Sequence, residues 1–320
     1  MLATGGTIAG RADGSGVSYR AGAAPVAELL RDVPALPGGL TIEAEQLCQA
    51  DSADIDDAMR MRIVERLGEV TAQPDVIGVV VTHGTDTMAQ SAYLAHLTVA
   101  TGKPVVFVGS MRPPAALGAD GPANLQDALT VAGCADAAEL GVLVVMNGEV
   151  HSARDVTKTS TYRCDSLRSP YGPLGTVRGG EVRLYRRPAR RHTSCSAFAP
   201  ARFDALPRVA VLHATDVVLV EPGDVSVPPD VRGLVVAGLG DGNIPRRYIG
   251  RIAQASDKGV VVVRASDVPG PVLRDGQVAD VQLGWIAADD QGPAQARLLL
   301  ALCLAAGLSA DEIQQSYYVH

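Results

Sequence analysis

DVIGVVVTHG (residues 75–84) is an unbroken apolar run, mostly valine, that stops at a polar turn. It does not alternate polar with apolar residues, which is the pattern of a strand covered on both faces. TMAQSAYLAHLTVA (87–100) then places its apolar residues at helical spacing, and KPVVFVGS (103–110) is a second buried-strand run. NLQDALTVAG (124–133) reads as a helix that ends at Gly133, and GVLVVMNG (141–148) as a third strand. Strands alternating with helices imply βαβ units, a parallel sheet and right-handed crossovers.

Moving outward, only Met1–Ala3 precede Thr4-Gly5-Gly6-Thr7. That is fewer than the 5–6 residues of an average strand, so the first strand is expected to be cut short, or the natural chain to start upstream. In the other direction, 150–207 is rich in Arg, Ser, Thr and Pro and contains a hairpin-like stretch, GTVRGGEVRLYRR (175–187). The alternation resumes with RVAVLHA (208–214), VRGLVVAGLG (231–240), a helix from Pro245, GVVVVRAS (259–266) and a helix over 293–306. The expected fold class is α/β, with two α/β domains. A larger N-terminal domain (1–187) carries a mainly parallel sheet; 188–207 is a linker; 208–320 is a smaller flavodoxin-like or Rossmann-like α/β domain.

The composition narrows the function. The 320 residues are 47% hydrophobic and only 4% aromatic, so Val, Leu, Ile and Ala build the core. A net charge of −7 argues against a nucleic-acid partner, which selects for a basic face. The one basic cluster, RRPARRH (186–192), reads as a solvated linker. No apolar run reaches the roughly 18 residues that span a membrane. Five cysteines are scattered without a CxxC pair and in odd number, which suits small buried residues better than disulfides or metal ligands. No secretory signal is visible, so a cytoplasmic protein is expected, with a secreted or periplasmic mature form as the alternative.

In open parallel sheets, ligands bind beyond the carboxyl ends of the strands. Three polar clusters fall at or near such ends: Thr4–Thr7, Thr82–Thr87 and ARDVTKTST (153–161), which carries Lys158. Glycines after a strand let the backbone approach a ligand and turn its N–H groups inward. A phosphate site would show GxxxxGK[ST], or GxGxxG opening a helix; neither is present. A hydroxyl beside inward-facing amides instead suits acyl transfer, with a nucleophile next to an oxyanion hole. Taken alone, the glycine pair leaves three readings open: nucleophile loop, structural turn and phosphate cradle. Thr85 and Asp86 add a second hydroxyl and a carboxylate, although TDTMAQ is also a good helix start. A threonine needs a base, and a lysine withdrawn from water can serve as one; Lys158 is the candidate. His83 lacks any paired-histidine spacing and reads as structural. RADGSGVSYRAG (11–22), small and glycine-rich, reads as a lid that closes over a ligand, with Tyr19 placed to reach Thr7.

Together these residues resemble the bacterial-type L-asparaginase family, which includes the asparaginase/glutaminases. ATGGTIAG (3–10) and THGTDTM (82–88) are similar to its two signature motifs. The similarity runs on through KPVVFVGSMRP, ADGPANLQDA, GVLVVMN, RDVTKT, SPYGPLG, RHTS, GLGDGN and QARLLL, nearly the whole chain. The resemblance implies hydrolysis of L-asparagine to aspartate and ammonia through a threonine acyl-enzyme, with weaker action on glutamine and with no cofactor or metal. It implies that Thr7 is the primary nucleophile, hydrogen-bonded to Tyr19, and that Thr85, Asp86 and Lys158 form a second catalytic group. By the same resemblance, Gly6, Ser52, Gly84, Thr85 and Asp86 bind substrate. Ser52 would take the α-carboxylate and Asp86 the α-ammonium. Asn243 would be offered to a neighbouring subunit, within a homotetramer built from two intimate dimers.

One position departs from the family. Ala53 follows Ser52 where many members carry a glutamine or glutamate, so a clear preference for asparagine over glutamine is expected. Other readings are an amino-acid-binding homologue without turnover, the glutamine-hydrolysing subunit of a tRNA-dependent amidotransferase, and a phosphate-binding α/β module. The complete set of Thr7, Thr85, Asp86 and Lys158 disfavours the first. A start at the first strand, without an extra N-terminal domain, disfavours the second.

Overall fold

The computed structural model describes residues 1–12, 19–31, 33, 39–199, 203, 205–214 and 227–320, which fall into two compact units, Met1–Pro200 and Ala201–His320. The first unit begins with β1 (Leu2–Gly5), the short pair β2 (Arg11–Ala12) and β3 (Tyr19–Arg20), α1 (Val26–Leu29) and β4 (Glu45–Ala50). There follow α2 (Asp57–Thr71), β5 (Val79–Thr82), α3 (Met88–Thr98), β6 (Val105–Val108), α4 (Gly121–Ala132) and β7 (Val142–Met146). It closes with β8 (Glu149–Ser152), β9 (Thr157–Lys158), β10 (Leu167–Arg168), β11 (Gly175–Arg178) and β12 (Glu181–Leu184). The apolar runs at 79–82, 105–108 and 142–146 are strands, and α4 stops at Gly133.

Eight of these strands form one sheet in the order β12-β11-β8-β7-β6-β5-β1-β4. From β4 through β1, β5 and β6 to β7 the pairs are parallel, and β8, β11 and β12 extend the sheet antiparallel. Within the parallel part the chain order reverses at β1, since β1 leads to β4 on one side while β5 leads to β6 on the other. A doubly wound sheet leaves a crevice at such a switch point, outside the strands' carboxyl ends. The fold therefore opens a cleft at the ends of β1 and β5, where Gly5–Thr7 and Thr82–Thr87 lie.

Helices on both faces explain the continuous apolar strands. Leu125 and Leu129 of α4 pack with Val80, Val106 and Leu143 on one face, and α3 and α2 cover the other. Within 188–207, Thr193 and Phe198 are buried in the first unit, and Arg186 of the basic cluster donates to the carbonyls of Tyr171 and Pro173.

The second unit has β13 (Val209–His213), β14 (Gly233–Gly238), α5 (Arg246–Asp257), β15 (Val261–Ser266), α6 (Asp280–Leu283), β16 (Ile286–Ala287), α7 (Pro293–Ala305) and α8 (Ala310–Val319). Its four described strands are parallel and run consecutively. Leu234, Val236 and Val262 pack with Tyr248 and Ile252 of α5 and with Trp285, which follows α6. Gly233 is bare because a Cβ there would meet Leu300 of α7.

Candidate active site

β1 ends in a backbone that only glycine adopts readily. Gly5 and Gly6 have φ of 112° and 79°, a region closed to most L side chains. The β1–β4 register slips between Ala3 and Gly5, and the chain leaves the sheet into a single 3-10 turn, Thr7–Ala9. Ile8 and Ala9 anchor that turn in the interior, while Thr7 stays half-buried. The Gly6 amide, expected to face a ligand, instead donates to Ala50 O at 3.0 Å, and Gly6 O accepts from Gly22 N at 2.9 Å. Gly6 therefore supplies the turn rather than a free donor. Thr4 is wholly buried and its Oγ1 donates to Thr82 O at 2.8 Å, tying β1 to β5.

Thr7 Oγ1 lies 2.8 Å from Tyr19 Oη. Tyr19 reaches it because β3 pairs antiparallel with β2, Ala12 opposite Tyr19. Gly10 makes room: a Cβ there would lie 2.8 Å from the Tyr19 ring. The segment 13–18, the middle of the predicted lid, lies outside the described residues.

At the end of β5, Lys158 Nζ donates to Thr85 Oγ1 at 2.8 Å and to Asp86 Oδ1 at 2.6 Å. Thr85 is buried, the Lys158 side chain is 21% exposed and that of Asp86 58%. Thr87, not Asp86, occupies the N-cap of α3, so the Asp86 carboxylate is left for the lysine. β9 presents Lys158 by pairing with β10, Lys158 opposite Leu167. The hydroxyl, amine and carboxylate form a chain running from a buried to an open end.

Ser52 is buried at the first position of a 3-10 turn, Ser52–Asp54, whose N-cap Asp51 accepts from Ala53 N. A Cβ at Gly6 would fall on the Gly84 backbone, and one at Gly84 would lie 2.5 Å from Ser52 Oγ. The loops carrying Thr7 and Thr85 thus pack glycine to glycine, and Gly84 packs on the Ser52 side chain, at distances that leave no room for a Cβ on either glycine. Thr87 Oγ1 donates to Ser52 O at 2.7 Å and fastens two of them. Sequence reasoning missed Thr87, though it stands inside the THGTDT motif. Beneath, His83 is fully buried, its Nδ1–H donates to Gly84 O at 2.8 Å, and burial pulls its pKa down to about 4. A neutral imidazole is a structural brace here, as its lone spacing suggested.

Of the predicted residues, Gly6, Thr7, Tyr19, Ser52, Gly84, Thr85, Asp86 and Lys158 converge on this cleft within the first unit. Asn243 lies in the second unit, directly after β14. Among the described residues no cluster of three or more His, Cys, Asp or Glu could hold a metal ion, all five cysteines are free thiols, and no helix is long and apolar enough to cross a membrane.

Comparison with known proteins identifies the family. Residues 1–190 match the family model "Asparaginase, N-terminal" and 208–316 match "Glutaminase/Asparaginase C-terminal domain". The chain is 39% identical to "L-asparaginase 2" of Escherichia coli strain K12, covering 99% of this chain and 91% of that protein. It is 37% identical to "Glutaminase-asparaginase" of Acinetobacter glutaminasificans, covering 99% and 98%. Its structure superposes with a TM-score of 0.90 on the crystal structure titled "Probable Cytoplasmic L-asparaginase" from Campylobacter jejuni, 34% identical, over 100% of this chain and 98% of the other. The chain, matched along both of its units, belongs to the asparaginase family.

Proposed function

We propose that this protein is an L-asparaginase, an amidohydrolase that converts L-asparagine to L-aspartate and ammonia, with weaker action on glutamine. One observation carries the assignment of roles. Two threonine hydroxyls stand on adjoining strand-end loops, each 2.8 Å from an activating group: Tyr19 for Thr7 and Lys158 for Thr85. A hydroxyl needs such a neighbour to become a nucleophile at neutral pH. Thr7 Oγ1 attacks the side-chain amide carbon; the C–N bond breaks, and the hydroxyl proton leaves with the nitrogen as ammonia. Water then cleaves the Thr7 ester, assisted by Thr85 and Lys158, which releases aspartate and restores the hydroxyl. Asp86, with its open carboxylate, holds the α-ammonium, and Ser52 and the Gly84 backbone receive the α-carboxylate end. A neighbouring copy supplies Asn243, in a homotetramer of two intimate dimers. The partner is a small amino acid, with neither nucleic acid nor membrane involved.

The experiment is ammonia release from asparagine and from glutamine by the wild type, Thr7→Ala, Thr85→Val and Lys158→Met. The wild type is expected to act alone and to prefer asparagine, since Ala53 offers no polar contact to the substrate's amino end. Each variant is expected to lose at least about a hundredfold in kcat. Near-full activity of Thr7→Ala would remove it as nucleophile. Equal kcat/KM for the two amides would refute the role of Ala53, and activity only with an added protein would favour an amidotransferase subunit.

A further inference from the structure

Arg264 stands in the middle of β15, in a stretch otherwise apolar, and its side chain and that of Asp280 are completely buried. Nε and Nη2 donate to the two carboxylate oxygens at 2.9 and 2.5 Å. A buried ion pair is weak evidence for stability, because an apolar pair of similar volume often serves as well or better. What an apolar pair cannot supply is the rest of the guanidinium fork. Nη1 donates to Asp241 O at 2.7 Å and Gly242 O at 3.4 Å, and Nη2 to Leu273 O at 2.8 Å.

Those carbonyls belong mainly to one turn. Leu239 and Asn243 exchange two backbone hydrogen bonds, 2.9 and 2.7 Å, across Gly240-Asp241-Gly242. Gly240 and Gly242 have φ of 53° and 67°. Gly240 O accepts from Ser266 Oγ at 2.5 Å, and Asp241 Oδ1 accepts from Leu273 N at 2.8 Å. All three loop carbonyls and the Asp241 carboxylate are therefore spent inside the unit. The exception is Asn243 Oδ1, which is out of water and has no hydrogen-bond partner among the described residues. An unpartnered buried acceptor is costly to leave so, and Asn243 Oδ1, unlike the turn's carbonyls, is uncommitted among the described residues.

We propose that the Arg264–Asp280 pair is a positioning device that fixes the Leu239–Asn243 turn and so presents the Asn243 carboxamide to the amino-acid substrate in a neighbouring copy's site. The inference rests on the asparaginase reading above for its ligand, and on the ion pair and turn for its geometry. Arg264 touches no substrate; it acts through the turn.

The test compares Arg264→Met/Asp280→Leu, Asn243→Ala, their triple combination and Gly242→Ala, whose Cβ would strain the turn and press on Arg264 Nη1 while both ionic partners remain. The double variant is expected to keep its fold while KM for asparagine rises about tenfold, the worth of one hydrogen bond to a charged group, with kcat changed far less. Asn243→Ala and Gly242→Ala are expected to show the same split, and the triple variant to be no worse than Asn243→Ala. Amide exchange at Leu239 and Asn243 is expected to accelerate in the double variant. Unchanged KM in both the double variant and Gly242→Ala, losses that multiply in the triple, or unchanged exchange would each overturn the proposal. If the wild type released no ammonia yet the exchange accelerated, the asparaginase reading would fall and the positioning of the turn would stand.

Discussion

His83 shows how a single buried residue ties the active-site loops to solution pH. Its ring sits under the cleft, 5.9 Å from the Phe107 ring centroid, and burial, with a smaller contribution from the Arg60 charge, pulls its pKa down to about 4. In an unfolded chain a histidine titrates near 6.5. Between those values the unfolded state takes up a proton that the folded state refuses, so this contribution to stability is complete above pH 6.5 and is lost as pH falls toward 4. The difference amounts to about 3 kcal/mol at pH 4. His151 and His192 are also pulled down by burial and act with the same sign. Urea unfolding at pH 7, 5.5 and 4 is expected to show a falling midpoint, with a shallower fall in His83→Gln. Identical slopes for the two proteins would dissociate His83 from the acid sensitivity.

At the level of elements, the buried strands and their helices were legible because burial on two faces writes itself as unbroken valine runs. β4 was not: it is an edge strand, Glu45–Ala50, half-exposed and, among the described residues, paired only with β1, so its sequence EQLCQA carries no such run. α2 had a readable start, Asp56 accepting from Met59 N at 2.8 Å, but its apolar positions are diluted by six charged residues in DAMRMRIVERLGEVT. The meeting of Lys158 with Thr85, 73 residues apart, was expected from a threonine's need for a base and from the resemblance, since nothing local in β9 announces where a two-residue strand will dock. ADGPANLQDA was likewise a matched motif without a role. In the structure Asn124, buried in α4, donates to Gly109 O at 3.0 Å and accepts from Asn147 N at 2.9 Å, so one carboxamide joins the ends of β6 and β7. Asn124→Leu keeps the volume and orphans both groups. It is expected to lower stability by about 2–4 kcal/mol, read as a shifted urea midpoint with unchanged slope; a shift under 1 kcal/mol would mean that water replaces the carboxamide.

For the whole molecule, the distribution of chemistry over the two units makes a quantitative statement about assembly. Every proposed catalytic group lies in Met1–Pro200, whereas Asn243 lies in Ala201–His320. If Asn243 serves the copy's own site, two defective chains can never repair one another. If it serves a neighbour across a two-fold interface, each site draws Thr7 from one chain and Asn243 from the other. Co-expressing differently tagged Thr7→Ala and Asn243→Ala chains then yields mixed dimers with one doubly defective site and one site carrying both native residues. Random pairing makes half of the dimers mixed, so about a quarter of all sites regain the native pair. Measured at asparagine concentrations below the wild-type KM, the co-expressed protein is expected to exceed the summed activity of the two variants prepared apart by several-fold. The doubly tagged fraction is expected to hold that excess. Activity equal to the sum, with doubly tagged assemblies present, would remove the intersubunit assignment.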